Sequence, residues 1–390
     1  MVGQQKNMHN TPTYYFREEH ELFRSSLRAW LDQHVLPQVD AWENAGEIPR
    51  WIWRQMGEMG YFGLTFPKAY GGLDGDFWYQ VIFLEEISKC HSAGFAAAVS
   101  AHPILALTHL AEAGGADLKE RYLRPGIAGD IFGGLAITEP HAGSDVAGLR
   151  TTAVRNGDHY IINGAKTFIT NGVLSDFLVV AAKTDPEAGA YGISLLVVDR
   201  DSPGLHARKL NKLGWHASDT GEIHLDEVRV PVANLIGQPN QGFFYIMQRF
   251  ALERLVMALS AVAGAEHALE YTLNYMAERR AFGRPLSKFQ ELRHRIAQHS
   301  AELARAKAFN YAIAAAFDRG DHRIRECAMA KMLSTELSDQ VITDCLQFLG
   351  GYGYMEEYPL ARMFRDSRLG PIGGGTSEIM REIIAKTVFQ

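Results

Sequence analysis

From Tyr14 to about Gly126 the apolar positions follow a helical rhythm: Phe16, Phe23, Leu27, Trp30, Leu31 and Val35 return at intervals near 3.6. A glycine-bearing loop, FPKAYGGLDGD, interrupts the rhythm. ISKCHSAGFAAAVSAH then predicts one tightly packed helix of small residues, and ILALTHLAEAGG another that stops at glycines. Near residue 130 the period shortens. HYII, FLVVAAKT and YGISLLVVD are short β-rich runs, and EIHLDEVRV alternates in period two. Three Asn-Gly pairs, Asn156-Gly157, Asn163-Gly164 and Asn171-Gly172, read as hairpin signals. After GQPNQG the helical rhythm resumes over 242–280, 288–318, 323–349 and from Thr376, with breaks at FGRPLS, DRGD and LGGYGYMEEYP.

The pattern predicts an α+β multidomain chain. A polar tail covers 1–13, a helical domain 14–129, a compact all-β unit 130–238, and antiparallel bundled helices 239–390. With 390 residues and 47% hydrophobic content there is enough apolar surface for a large core. A net charge of −6 without a basic stripe argues against a nucleic-acid partner. No run of about 18 consecutive apolar residues occurs, so no membrane span is expected. The start, MVGQQKNMHNTP, shows neither an export signal nor a transit pattern, and the expected location is cytoplasmic. Cys90, Cys327 and Cys345 are odd in number and widely spaced, with no CxxC, which fits a reducing compartment without disulfides or zinc. The histidines carry no HExxH, and no metal is expected.

Four segments carry candidate chemistry. LAITEPHAGSDVAG, residues 135–148, clusters small and hydroxylated residues at a strand-to-loop junction. It can offer Thr138, Ser144 and main-chain N–H groups to a polar or phosphorylated ligand, or be an ordinary turn. In GAKTFITNG, Phe168 and Thr170 share a strand face, an aromatic wall beside a hydroxyl, as many alternating strands also do. RRAFGRPLSKFQ places Arg279 and Arg284 where they can grip a pyrophosphate or cap a helix end. Gly373, Gly374 and Gly375 precede Thr376 at a helix start, where a backbone can approach a ligand closely. GxGxxG after a strand and GxxxxGK[ST] are both missing, which argues against Rossmann and P-loop readings.

Together these segments resemble the acyl-CoA dehydrogenase family, from about Phe16 to Ala385. LAITEPHAGSD and RDSRLGPIGGGTSEIMREIIAK are the most specific matches. The resemblance implies a helical domain, a middle β-barrel and a C-terminal four-helix bundle, assembled as a homotetramer. It implies FAD, an acyl-CoA substrate and an electron-transferring flavoprotein as acceptor. By motif, Leu135, Ala136, Ile137, Thr138, Gly143 and Ser144 would line the flavin, with Ser144 also near substrate. Phe168, Ile169 and Thr170 would flank the ring; many relatives carry tryptophan at the place of Phe168, and phenylalanine lacks the indole N–H. Arg279, Phe282, Gln290 and Gln347, Phe348, Leu349, Gly350, Gly351 would reach the FAD of a neighbouring subunit, and Thr376 and Glu378 its adenosine end.

The reaction of the family needs a base for the α-proton. Many members carry a glutamate immediately before the terminal Gly-Thr-Ser, where this chain has Gly374. Isovaleryl- and long-chain acyl-CoA dehydrogenases lack it too and carry the acid in an ERL motif, here Leu252-Glu253-Arg254-Leu255. Glu253 sits among Phe250, Val256 and Met257, and burial there would raise its pKa toward the operating pH. Its other reading is a helix carboxylate paired with Arg249. The Gly374 N–H would bind the thioester oxygen. Phe250, Ala251, Arg254 and Gly375 would border the thioester, although Arg254 could equally be structural. Small residues Gly94, Ala96, Ala97, Ala98 and Ser100 favour a medium-to-long or branched chain if their helix lines the pocket, or close helix packing if it does not. Two other functions share the fold: an oxygen-using flavoenzyme, such as an acyl-CoA or nitroalkane oxidase, and a non-catalytic acyl-CoA-binding protein.

Overall fold

The computed structural model describes residues 14–389, so the expected polar tail lies outside the described residues. The N-terminal part is helical: α1 (Glu18–His34), α2 (Val39–Ala45), α3 (Arg50–Glu58), α4 (Phe77–Ile87), α5 (Ala93–Ala101), α6 (Thr108–Ala113), α7 (Ala116–Leu118) and α8 (Arg124–Ile127). α1 buries Leu27, Trp30 and Leu31 on the stripe the sequence marks. The small-residue run expected to be one helix is broken. α4 ends, His91 takes a left-handed φ of 58°, and the Ser92 hydroxyl caps α5 by accepting from the Phe95 N–H at 2.9 Å.

α5 passes through a π turn, His102–Leu107, into α6. By averaged hydropathy, Ala93–Ala113 is long and apolar enough to cross a membrane, which a count of consecutive apolar residues misses. Its window is 78% buried inside the protein, so it serves here as a core helix.

The middle part is one sheet of β1 (Gly133–Ala136), β2 (Thr152–Asn156), β3 (His159–Ile169), β4 (Phe177–Lys183), β5 (Ile193–Asp199), β6 (Leu205–Lys209), β7 (Gly221–Pro231) and β8 (Leu235–Ile236). Its order is β6-β7-β3-β2-β4-β5-β8, with β1 parallel to β4. β4 and β5 are buried on both faces, hence their unbroken apolar runs. Only one Asn-Gly pair closes a hairpin: Asn156 faces His159 across β2 and β3. Asn163-Gly164 lies inside β3 at a register shift against β7, where the Asn163 side-chain Oδ1 accepts from the Glu227 N–H at 2.8 Å. Gly164 is required there because a Cβ would collide with Thr151. Asn171-Gly172 turns toward β4, which does not pair with β3.

The C-terminal part contains α9 (Gly242–Glu278), a ribbon of β9 (Arg280–Ala281) and β10 (Arg284–Pro285), α10 (Gln290–Asp318), α11 (Ile324–Phe348), α12 (Pro359–Ser367) and α13 (Ser377–Val388). α11 packs along α9 and also against α10, α12 and α13. Asp366, buried at the end of α12, joins all three parts. Its carboxylate accepts from the Ala93 N–H at 3.1 Å and from the Trp215 N–H, between β6 and β7, at 2.7 Å. Burial and the nearby Glu43 push this carboxyl up to about 6.

Candidate active site

α9 carries Glu253 past the strap that links α12 to α13. The strap is tied by short-range main-chain bonds on either side of Gly374 and Gly375. Gly373 N–H donates to the Leu369 carbonyl at 2.8 Å, and Ser377 N–H to the Pro371 carbonyl at 3.0 Å. Gly374 and Gly375 take left-handed φ values of 60° and 90°, conformations that glycine adopts without strain. Thr376 then caps α13 by accepting from the Ile379 N–H at 3.3 Å.

The strap and the acid face each other. A Cβ placed on Gly374 would stand 3.8 Å from Glu253 Oε1, and it would run into the sulfur of Met257. The Glu253 carboxyl therefore borders the ground that a side chain at 374 would point into, with the Met257 sulfur already in it. Arg249, the alternative partner for Glu253, forms its ion pair with Glu112 instead. Burial pushes the Glu253 carboxyl above the usual carboxylate range, while Arg254 and Lys331 pull it back. Arg254 is 8% exposed, its Nε has no hydrogen-bond acceptor among the described residues, and its guanidinium sits 5.6 Å from the centroid of the Phe250 ring. Ala251, by contrast, is packed in the core, away from the acid-bearing face.

Lys331 is a member of this group that the sequence reading did not single out. It is fully buried, and its ammonium donates to the Gly375 carbonyl at 2.6 Å. Burial and Arg254 push it down to about 8. The available signal is its place on the buried face of α11, in line with Cys327, Ser334 and Ser338.

A second group forms where β1 and β3 end side by side. The Thr167 N–H donates to the Thr138 carbonyl at 2.9 Å. Beneath them the buried Glu139 carboxylate accepts from Lys166 at 2.8 Å and from the N–H groups of Arg150 and Thr151 at 2.6 and 3.0 Å. Gly143 and Ser144 are exposed, Leu135 and Thr138 half-buried, and Ala136 and Ile137 buried. Phe168 is 70% exposed with a left-handed φ of 59°, an uncommon conformation for an aromatic residue. Ile169 is buried in the sheet, paired with Gly221 of β7, while Thr170 is half-exposed.

A third group lines a groove of about 850 Å³ between the end of α9 and helices α10 and α11. Arg279, Gln347, Phe348, Leu349, Gly350 and Gly351 lie in it, with Arg295 in addition. Phe282 and Gln290 are exposed outside the groove, and Thr376 and Glu378 stand instead at the start of α13. The residues expected around one cofactor thus occupy three separate places on a single chain.

A sheet domain held between helical domains, with an acid-bearing helix facing a glycine strap, defines a flavoprotein dehydrogenase. The chain matches the N-terminal domain of acyl-CoA dehydrogenases over residues 17–130, the middle domain over 134–228 and the C-terminal domain over 240–389. It is 39% identical to the mitochondrial long-chain specific acyl-CoA dehydrogenase of Sus scrofa, over 96% of this chain and 87% of that one. It is 36% identical to the mitochondrial isovaleryl-CoA dehydrogenase of Pongo abelii, over 95% and 88%. The crystal structure of an acyl-CoA dehydrogenase from Geobacillus kaustophilus superposes with a TM-score of 0.93 at 40% identity, covering 97% of this chain and all of that one.

The chain belongs to the acyl-CoA dehydrogenase family. It is an oxidoreductase, and its family depends on FAD. The residues present fit that cofactor: an exposed aromatic beside hydroxyls at the end of β3, and two arginines with an amide along the groove.

Proposed function

We propose that the protein desaturates an acyl-CoA thioester between its α and β carbons to the trans-2-enoyl-CoA, with Glu253 as the base. The observation that carries this reading is the placement of the half-buried Glu253 carboxyl against Gly374, where desolvation raises its pKa. A carboxylate so placed takes the α-proton more readily than one in water. Among the described residues the Gly374 N–H has no acceptor, which leaves it free for the thioester oxygen. The positive charges of Arg254 and Lys331 favour the negative charge that develops on that oxygen as the proton leaves. When bound, FAD supplies the acceptor for the β-hydride. Ser144, Phe168 and Thr170 would hold the ring, and Phe250 would border the thioester.

The electrons pass on to an electron-transferring flavoprotein. A medium-to-long or branched acyl chain is favoured. Gly94 and Ala98 are committed to packing, the first against Trp215 and the second by accepting at its carbonyl from the Asn171 amide at 3.0 Å. Ala97 and Ser100 are only half-buried, on the other side of α5. Assembly as a homotetramer, bringing the groove to a neighbour's FAD, follows from the family resemblance, and Phe282, 94% exposed beside the groove, is the candidate contact residue.

The test is Glu253→Gln. Flavin should stay bound and acyl-CoA should still bind, while anaerobic flavin reduction falls by more than about 10³-fold. Reduction at near the wild-type rate would refute the assignment.

A further inference from the structure

Lys331 is unusual for its place. It stands mid-helix in α11, fully buried, on a stripe otherwise made of small or apolar residues. Burying an ammonium is costly unless it is paired. Among the described residues its nitrogen donates to one group, the Gly375 carbonyl, at 2.6 Å. That carbonyl belongs to the residue after Gly374, in a part of the strap where Gly374 and Gly375 make no main-chain hydrogen bond among the described residues and no side chains between 373 and 375 anchor it. The charged groups facing the ammonium are Glu253 and Arg254 from α9, Glu336 from α11 itself and Glu378 from α13.

We propose that Lys331 is a positioning residue for the reaction: from beneath the strap its ammonium holds the Gly375 carbonyl, one residue beyond the Gly374 N–H, and so steadies the strap that presents that N–H, and it sets a positive charge facing Glu253. This rests on Glu253 being the base. The lysine touches neither substrate nor flavin in this account. It acts through the strap, through the acid and through the field that its charge sets at the thioester oxygen.

The sign of its effect on the acid follows. Burial raises the Glu253 carboxyl, and a facing cation opposes that rise. Removing the charge while keeping the length, in Lys331→Met, lets burial act with less opposition, so Glu253 titrates at higher pH. Lys331→Arg keeps the charge.

The experiment uses the holoenzyme with two readouts. One is the pH profile of single-turnover flavin reduction by acyl-CoA. The other, independent of turnover, is an infrared difference titration of the resting enzyme, with the Glu253 carboxyl band identified by its loss in Glu253→Gln. In Lys331→Met both midpoints should rise by about 1 pH unit, and the limiting reduction rate should fall about tenfold or more as the strap loses its tie. Lys331→Arg should keep the wild-type midpoints, and Lys331→Gln, which also removes the charge, should raise them in place of the methionine variant if that one does not fold. An unmoved midpoint in Lys331→Met, or a rise of about 1 unit in Lys331→Arg, overturns the proposal. Reduction that survives Glu253→Gln sinks the base assignment instead, so the two failures are distinguishable.

Discussion

The contact between Gly374 and Met257 yields a sharp prediction for Gly374→Ala. The added methyl would meet the Met257 sulfur well inside van der Waals distance, while its 3.8 Å separation from Glu253 Oε1 is ordinary contact. The acid therefore has no reason to move, and roughly an ångström must be found between the strap and Met257. The left-handed φ of 60° adds about 1–2 kcal/mol of backbone strain for any residue with a Cβ. If the strap yields, the 374 N–H leaves its place, and a misplacement of that size costs about 10²-fold in rate. Anaerobic stopped-flow reduction of Gly374→Ala should therefore be slowed about 10²-fold, with acyl-CoA still bound. Removing the obstacle in Met257→Ala/Gly374→Ala should recover reduction to within about tenfold of Met257→Ala alone, leaving the backbone strain as a loss of stability. Full activity in the single variant, or no recovery in the double one, refutes the idea that the strap's main chain holds the thioester.

Other outcomes follow from the same geometry. Because Glu253 must lose its proton to act and burial raises it above its ordinary 4.5, flavin reduction should climb with pH through a limb above that value; a limb at or below it would contradict the buried placement. Glu86 behaves oppositely: burial alone would raise it, but Lys89, Arg28 and Arg24 outweigh burial and pull it down from 4.5 to about 2. Its stabilising contribution is present above pH 4.5 and is lost as pH falls toward 2, so Glu86→Gln should cost about 3 kcal/mol at pH 7, and the gap in melting temperature should close in acid. Phe282→Asp should shift the protein to smaller species in sedimentation, whereas an unchanged mass would argue against that surface as a subunit contact. In air, reduced enzyme should reoxidise slowly alone and quickly with an electron-transferring flavoprotein; rapid reoxidation by oxygen alone would favour an oxidase.

The helical stretches were legible because long amphipathic segments such as α9 and α10 repeat their pattern over many turns. Local turn signals were less reliable where tertiary contacts decided the outcome. Asn163-Gly164 carries a hairpin's dipeptide, yet its glycine exists to let Thr151 approach, and its asparagine side chain serves a bulge. The break between α4 and α5 was hidden because Ser92 is both a small residue that suits a packed helix and a good cap. Within the site, Glu253 stood out as a charge among apolar neighbours. Lys331 did not, because one lysine in a helix ordinarily reaches solvent, and its burial depends on how α11, α9 and α13 close around it. The groove residues were visible as motifs, but their separation from the end of β3 on the same chain emerges only in three dimensions.

The buried Asp366 carboxyl has a practical consequence for anyone cutting this chain into pieces. The start of α5 and the Trp215 turn both end on the same two oxygen atoms, contributed by α12. A fragment that stops before residue 366 leaves those two amides without their acceptor, and a C-terminal fragment alone keeps a carboxylate stripped of its donors. Neither half should express as a well-behaved soluble product, and mild protease treatment should leave nicked chains that stay together until denaturant is added.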